Sequence, residues 1–181
     1  MKKRILFFLF CMVSLGFHSL GQWTTATEVG FTTKVGERMP DFKVQMLDGT
    51  TVDTETLRGK VVLLNFWGAK CGGCLLELKR FPKEIIKPYG SRKDFYLLPI
   101  EAQLQPKEVI ETSAKRMGFT FPLAYENGKD IAGLFFERVY GIPRTLIIDR
   151  KGVIVYQAFG YTEEEFEKML KVLEKTLNAG K

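Results

Sequence analysis

Histidine and cysteine are scarce in this chain. One histidine and three cysteines occur among its 181 residues, and His18 and Cys11 both lie in the N-terminal stretch 1–21. Beyond that stretch only Cys71 and Cys74 remain, and two thiols cannot complete a tetrahedral zinc site. Without a histidine there is also no Cys–His nucleophile pair. The sequence thus argues against most conventional zinc and copper sites and shows no nucleotide or haem motif, so we expect no metal and no cofactor.

The net charge is modest. It is +6 for the whole chain and falls to +3 without residues 1–21, which hold three basic residues and no acidic ones. Basic stripes with interleaved aromatic residues are not found, so we expect no nucleic-acid partner. The length of 181 residues fits one domain with a substantial core and an additional export segment.

Residues 1–21 have the organisation of a signal peptide. Three basic residues at positions 2–4 precede an apolar run over 5–17, which is shorter than the roughly 20 residues of a membrane span. Small residues then occupy the −3 and −1 positions of a cut before Gln22. We expect cleavage there, and contact with the membrane only if the segment stays uncleaved.

Strand-like and helix-like patterns alternate along the rest of the chain. Residues 22–34 lack a clear period and are interpreted as an extended lead-in to one domain over 35–181. Asp48 and Gly49 predict a hairpin turn between two short strands, and Thr54 is predicted to cap the helical turn that follows. Further extended segments are predicted over 61–67, 95–100, 119–124, 145–149 and 153–159. Helices are predicted over 74–90, 106–118, 130–138 and 162–177. Pro82 is expected to kink the first of these helices, and Thr162 and Glu165 to form a capping box at the start of the last. This order predicts an α/β sandwich with a mixed sheet.

The most informative stretch is Asn65–Phe81, which runs from a buried strand into a helix and places Cys71 three residues before Cys74. One helical turn brings both sulfurs to neighbouring positions on one face, where they can form and open a disulfide with little backbone movement. A disulfide that closes so short a loop restrains the unfolded chain little. We therefore interpret the pair as a thiol–disulfide exchange site; the alternatives are an inert disulfide and half of an intermolecular metal site.

The motifs follow one another as in a known family. The entry at 39–42 (Met-Pro-Asp-Phe), the run 59–67 before the cysteines and the segment 140–152 resemble those of the exported TlpA/ResA-like thiol–disulfide oxidoreductases of bacteria. The resemblance extends over 35–177. It implies the thioredoxin fold, an α/β fold with a central mixed sheet, flanking helices and an N-terminal β-hairpin extension.

Three residues are expected to carry the chemistry. Cys71 at the helix N-terminus is the predicted nucleophile, because the helix dipole and unpaired amides there favour its thiolate. Cys74, one turn deeper, is expected to resolve the mixed disulfide. Glu77 stands where the family carries an acid that manages the proton of the second cysteine, and the alternative is a solvated glutamate paired with Lys or Arg.

Substrate binding is expected at Trp67, Ile142 and Pro143. The resemblance implies that Pro143 is the family's cis-proline, which faces the disulfide and presents the backbone of Ile142 to an extended peptide; the alternative is an ordinary trans proline. Trp67 is expected either to shield the sulfurs or to serve the core alone. Asn65 stands where many thioredoxins have a buried aspartate, which leaves proton management to Glu77 or to water.

The chain departs from the family pattern at three positions. Lys70 replaces the usual tryptophan before the first cysteine, and Gly73 replaces the usual proline between the two cysteines. The proline that usually kinks the helix is Lys79 here, and Pro82 follows one turn later. These departures bear on the redox potential, the partner surface and the helix geometry.

The expected function is that of a periplasmic thiol–disulfide oxidoreductase. It would reduce, or exchange, disulfides in other exported proteins through a mixed disulfide and receive electrons from a membrane-bound donor; an uncleaved signal segment would tether it to the inner membrane. A first alternative is a redox-inactive thioredoxin-fold module that binds extended peptides. A second is a peroxiredoxin-like peroxide reductase, which would want a threonine shortly before the attacking cysteine, where this chain has Ala69 and Lys70.

Overall fold

A computed structural model describes residues 29–179. The strands are β1 (Lys43–Met46), β2 (Thr51–Asp53), β3 (Val61–Trp67), β4 (Phe95–Glu101), β5 (Ala124–Tyr125), β6 (Arg144–Ile148) and β7 (Ile154–Phe159). The α-helices are α1 (Thr54–Leu57), α2 (Gly72–Phe81), α3 (Lys87–Tyr89), α4 (Lys107–Met117) and α5 (Glu163–Asn178). The strands form one mixed sheet in the order β2-β1-β5-β4-β3-β6-β7. The predicted mixed sheet is confirmed.

Strand β3 lies in the middle of the sheet and explains the long apolar run. It pairs in parallel with β4 and antiparallel with β6, and all seven of its residues are buried. Leu63 and Trp67 belong to the core shared with α2, α4 and α5. Leu64 and Phe66 belong to the core on the other face, which α1 and the segment 131–136 help to cover. A strand covered on both faces has no position for a solvated side chain.

The N-terminal hairpin is confirmed, with one correction at its end. Strands β1 and β2 pair antiparallel across the turn at Asp48–Gly49. The cap of α1 is Asp53, not Thr54, because the Asp53 carboxylate accepts a hydrogen bond from the Thr56 N–H at 2.9 Å. The Thr54 hydroxyl instead accepts from the Phe42 N–H at 3.1 Å and ties the hairpin to α1.

The helix predicted over 130–138 is wrong. Two 3₁₀ turns, Ala132–Leu134 and Arg138–Tyr140, occupy that region. The Glu126 carboxylate accepts from the Ala132 N–H at 2.6 Å, and Phe136 forms a β-bridge with Phe31. These contacts with residues outside the segment hold the backbone out of a continuous helix. Of the extended segment expected over 119–124, only Ala124 belongs to a strand, β5.

The sequence predicted a kink at Pro82, and a π-helical turn begins at this residue. Proline lacks the N–H that an α-helix needs at this point. The turn Pro82–Ile86 follows α2 directly, and the Lys87 N–H bonds to the Pro82 carbonyl. The chain then continues through α3 to Gly90.

The two ends of α4 and the start of α5 lie where the sequence predicts them. Pro106 precedes α4, and Gly118 ends it in the left-handed region with a φ of 68°. Thr162 caps α5 by accepting from the Glu165 N–H at 3.1 Å. The reciprocal half of the predicted capping box is replaced, because the Glu165 carboxylate accepts from the Tyr156 hydroxyl at 2.7 Å.

The lead-in contacts the domain over the part that is described. Within 29–34, the Thr32 N–H donates to the Phe135 carbonyl at 2.9 Å. The boundary between lead-in and domain stays a prediction. The signal peptide predicted over 1–21 lies outside the described residues, and within 29–179 no helix combines the length and apolar character that a membrane crossing requires.

Candidate active site

Cys71 and Cys74 meet at the beginning of α2. Cys71 is the N-cap of the helix, and its sulfur accepts a hydrogen bond from the Cys74 N–H at 3.2 Å. The two residues form a disulfide with an S–S distance of 2.11 Å. Cys71 is half-buried, whereas Cys74 is fully buried. The structure therefore presents one sulfur at the surface and keeps the other beneath it.

The loop before β6 lies directly against the exposed sulfur. The peptide bond between Ile142 and Pro143 is cis, as the resemblance implied. The Ile142 carbonyl oxygen lies 3.9 Å from the Cys71 sulfur. The structure thus brings together Cys71, Ile142 and Pro143, which the sequence placed about 70 residues apart.

Glu77 lies one turn beyond Cys74 and is buried, with 4% of its surface exposed. Its carboxylate accepts from the Asn65 amide at 3.0 Å and from the Thr145 hydroxyl at 2.8 Å. Burial raises the pKa of Glu77 from 4.5 to about 7, and these two hydrogen bonds oppose the shift. The alternative of a solvated glutamate paired with Lys or Arg is therefore wrong.

Trp67 is completely buried. Its ring packs edge-on against Phe119 with the centroids 6.1 Å apart, and it belongs to the same core as Cys74. This position places Trp67 in the core on the same side of the sheet as Cys74. Contact between its side chain and a substrate stays a prediction.

Side chains from β4 and α4 hold the turn before Cys71. The Ala69 N–H donates to the buried Glu101 carboxylate at 3.4 Å, and the Ser113 hydroxyl donates to the Ala69 carbonyl at 3.1 Å. Glu101 accepts a second bond from the Gln105 N–H at 3.2 Å, and burial raises its pKa. Sequence reasoning missed Glu101, although an acid at the end of an apolar strand was a visible signal.

Thr145 was also missed as a site residue. It accepts from the Asn65 amide at 2.8 Å and donates to Glu77, so the three side chains form one buried polar cluster. Thr145 follows Pro143 by two residues, and strand alternation directs it to the face on which α2 lies. In the sequence, the one signal that Thr145 belongs to the site is its position close to Pro143.

Comparison with known proteins places this geometry in a family. The model of the AhpC/TSA family matches residues 35–157. The chain belongs to the AhpC/TSA family. This assignment confirms the thioredoxin-like fold that the sequence implied.

Similar proteins are named for thiol–disulfide chemistry. A thiol-disulfide oxidoreductase ResA of Bacillus thuringiensis is 30% identical over 139 residues, which cover 76% of this chain and 78% of that protein. A solution structure from Bacteroides thetaiotaomicron, described as a candidate protein disulfide isomerase, is 36% identical with a TM-score of 0.79 and covers 83% of this chain and 94% of its own. The resemblance to ResA-like proteins is confirmed, and this AhpC/TSA member is a thiol–disulfide oxidoreductase.

More distant structures share the fold alone. A crystal structure from Chlorobium tepidum, described as a candidate thiol:disulfide interchange protein DsbE, is 22% identical with a TM-score of 0.67 and covers 81% of this chain and all of its own. The peroxidoxin BcpB of Mycobacterium tuberculosis is 18% identical with a TM-score of 0.62 and covers 79% of this chain and 97% of its own. Both likenesses support the thioredoxin-like fold of this chain.

Proposed function

We propose that this protein is an exported oxidoreductase that reduces disulfides in other exported proteins. The Cys71 thiolate attacks one sulfur of a substrate disulfide, which forms a mixed disulfide and releases the first substrate thiolate. The Cys74 thiolate then attacks the Cys71 sulfur and releases the second. Two electrons pass to the substrate, and the enzyme ends with the Cys71–Cys74 disulfide. A membrane-bound donor restores both thiols by supplying two electrons.

The unequal exposure of the two sulfurs supports this order of attack. Cys71 is half-exposed at the helix N-terminus, where the amides and the dipole stabilise a thiolate. Cys74 is fully buried, and its sulfur lies at bonding distance from the Cys71 sulfur that it is proposed to attack. An incoming protein therefore meets Cys71 first.

Glu77 is proposed to take the proton of Cys74 before the second attack. It follows Cys74 by three residues on α2, which makes the two side chains neighbours on the helix. A pKa raised to about 7 by burial brings the carboxylate closer to the free thiol value of about 8.5, and a base works best when its pKa lies near the operating pH.

Ile142 and Pro143 are proposed to align the substrate. The Ile142 carbonyl next to Cys71 can accept a hydrogen bond from an extended segment, which would pair as an added strand does. Trp67 is proposed to support the sulfurs from the core.

Reduction of a protein disulfide such as that of insulin tests the function. With a dithiol as donor, the chain from Gln22 should reduce insulin, and Cys71→Ser should fall to the uncatalysed rate. Cys74→Ser should accumulate a mixed disulfide through Cys71. Equal rates for wild type and Cys71→Ser would remove the enzyme assignment, and a faster reaction with hydrogen peroxide than with insulin would favour a peroxide reductase.

The role of Glu77 has its own test. Glu77→Gln should slow the second step by roughly 10²-fold, the lower range for a lost acid–base group, and should leave the first step unchanged. Glu164→Gln, which removes the same charge from an exposed position on α5, is the control. Rapid-quench measurement of the mixed disulfide separates the steps, and an unchanged second step would exclude the role.

Export is tested by the N-terminus of the protein in the producing cell. A mature chain that begins at Gln22 in the periplasmic fraction is expected. Recovery of the uncleaved chain in the inner-membrane fraction would support the tethered alternative instead.

A further inference from the structure

The first described residues of the chain pair with the segment that leads to Pro143. We call residues 29–33 the N-terminal clasp and residues 137–143 the proline loop. The Glu137 N–H donates to the Gly30 carbonyl at 2.8 Å, and Phe31 forms a β-bridge with Phe136. The clasp thus forms a short stretch of backbone pairing with the chain at the start of the proline loop.

Arg144 joins the clasp to the other end of the proline loop. Its side chain is fully buried. The Nη1 group donates to the Val29 carbonyl at 2.7 Å, and the Nε group donates to the Gly141 carbonyl at 2.9 Å. One planar guanidinium thus bonds to both segments at once, a geometry that lysine cannot reproduce.

Aromatic rings surround this guanidinium. It lies over the rings of Phe31, Phe136 and Phe159, with its central carbon 4.5 to 4.6 Å from each centroid. Within 29–179 Arg144 forms no ion pair, and burial lowers its pKa to about 10. The faces of the rings offset part of the cost of burying the cation. Phe31 belongs to the clasp, so the clasp completes the surroundings of Arg144.

A third contact joins the clasp to the middle of the proline loop. Gly30 has a φ of +74°, and a methyl group added to its Cα would lie 2.3 Å from Cδ2 of Tyr140. The Tyr140 ring therefore rests directly on the Gly30 backbone. Beyond this contact, Tyr140 is 45% exposed and its neighbour Val139 is 83% exposed, which leaves two apolar side chains in solvent on the loop that reaches Cys71.

We propose that the N-terminal clasp and Arg144 are positioning elements that set the affinity of the site for protein disulfides. They fix the proline loop so that Ile142 faces the sulfur, and so that Val139 and Tyr140 meet an apolar stretch beside the substrate disulfide. The sulfurs themselves are held by α2, whereas the clasp contacts described above go to the proline loop, Phe136 and Arg144. This inference rests on the proposed function, since it concerns how the substrate of that reaction is held.

Substitution of Gly30 by alanine is the direct test. The added methyl group should displace Tyr140 and loosen the proline loop. The KM for a protein disulfide such as insulin should rise about tenfold, equivalent to about 1.4 kcal/mol, whereas kcat should stay unchanged. The rate with a small aromatic disulfide, which needs only the sulfurs, should also stay unchanged.

Gly36→Ala is the matched control. Gly36 also has a positive φ, +97°, but no atom lies within 4 Å of the added methyl group. It carries comparable backbone strain without contact with the proline loop, so its KM should equal that of the wild type. Equal KM values for Gly30→Ala and Gly36→Ala would overturn the proposal.

Two further variants separate positioning from folding. In a Tyr140→Gly background, Gly30→Ala should no longer raise KM, because the ring and the Tyr140 Cβ, which would lie 2.8 Å from the added methyl group, are both gone. Arg144→Lys keeps the charge but loses the paired hydrogen bonds, and it should raise KM for the protein disulfide while the small disulfide reacts at the wild-type rate. Equal losses with both substrates would contradict the proposal.

Full insulin reduction by Cys71→Ser would instead remove the underlying function, whatever the clasp variants show.

Discussion

At the scale of single residues, the site depends on a carboxylic acid kept away from water. Glu77 receives two neutral hydrogen bonds, from Asn65 and Thr145, and neither partner carries a charge that would favour the ionised form. Burial therefore dominates and raises the pKa of Glu77 to about 7. A group with these surroundings can bind or release a proton in the pH range in which thiols react.

Glu77 should make the folded protein less stable as the pH rises. Its pKa is about 7 in the folded state and near 4.5 in the unfolded state, so the folded state binds more protons between these values. The free energy of unfolding should fall through this window by up to about 1 kcal/mol per pH unit. Urea unfolding of the oxidised protein should show this fall, and Glu164→Gln should keep it. The fall should be smaller in Glu77→Gln, where the buried Glu101, whose pKa is also raised, still contributes. A fall of the same size in Glu77→Gln would refute the assignment.

The hydroxyl group of Thr145 should tune this pKa. Thr145→Val removes the donor at 2.8 Å from the Glu77 carboxylate with little change in shape. Because that bond favours the ionised form, its loss should raise the pKa of Glu77 further above 7. Titration of the labelled carboxyl carbon by NMR measures the shift directly. Thr145→Ser keeps the hydroxyl and should titrate like the wild type; a lower pKa in Thr145→Val would contradict the expectation.

At the scale of elements, α2 and α5 each begin with a side-chain cap but use it differently. The cap of α2 is the Cys71 sulfur itself, so the redox state of the cysteine and the order of the first helical turn are linked. The cap of α5 is the Thr162 hydroxyl, and three acidic residues in its first turn complement the helix dipole. The first cap serves chemistry and the second serves stability.

Loss of the α5 cap should cost stability without loss of activity. Thr162→Ala removes the bond to the Glu165 N–H and should lower the free energy of unfolding by about 1 kcal/mol. Thr162→Ser keeps a hydroxyl group and should retain most of the stability that the cap contributes. Chemical denaturation gives the energies, and insulin reduction should proceed at the wild-type rate in both variants; a drop in rate would show that α5 is coupled to the site.

At the scale of the whole molecule, one sheet divides the interior into two cores. Leu173 of α5 and Cys74 belong to one, and Leu98 of β4 belongs to the other together with Phe135. Because β3 and β4 contribute to both, neither core can unfold without disturbing the other. The redox pair is anchored in one core, and the aromatic surroundings of Arg144 extend from the other through Phe136.

Truncation of a leucine in either core should destabilise the whole protein. Leu98→Ala and Leu173→Ala each remove a fully buried side chain and should cost about 2–5 kcal/mol. The double variant should show nearly additive losses, because the two side chains lie on opposite faces of the sheet. Far-UV circular dichroism and tryptophan fluorescence should report one coincident unfolding transition for each single variant. Separate transitions would contradict the coupling of the two cores.

Local patterns predicted most of the fold because the strands and helices differ in hydrophobic period. The run over β3, the turn at Asp48–Gly49 and the irregularity at Pro82 are all encoded within a few residues. The failure over 130–138 has a tertiary cause, since Glu126 and Phe31 impose their own hydrogen bonds on that segment. Asp53 rather than Thr54 caps α1, because the Thr54 hydroxyl accepts a hydrogen bond from the Phe42 N–H instead.

The sequence by itself determined the reactive atoms, because the spacing of Cys71 and Cys74 and the helix that starts between them are local properties. Only the tertiary structure decided how these atoms are surrounded. It buried Glu77 beneath Asn65 and Thr145 and placed Ile142 against the sulfur. It also closed the N-terminal clasp over Arg144. Each of these contacts joins residues far apart in the chain, and burial, which sets the energy of a charge, exists only after the strands and helices have packed together.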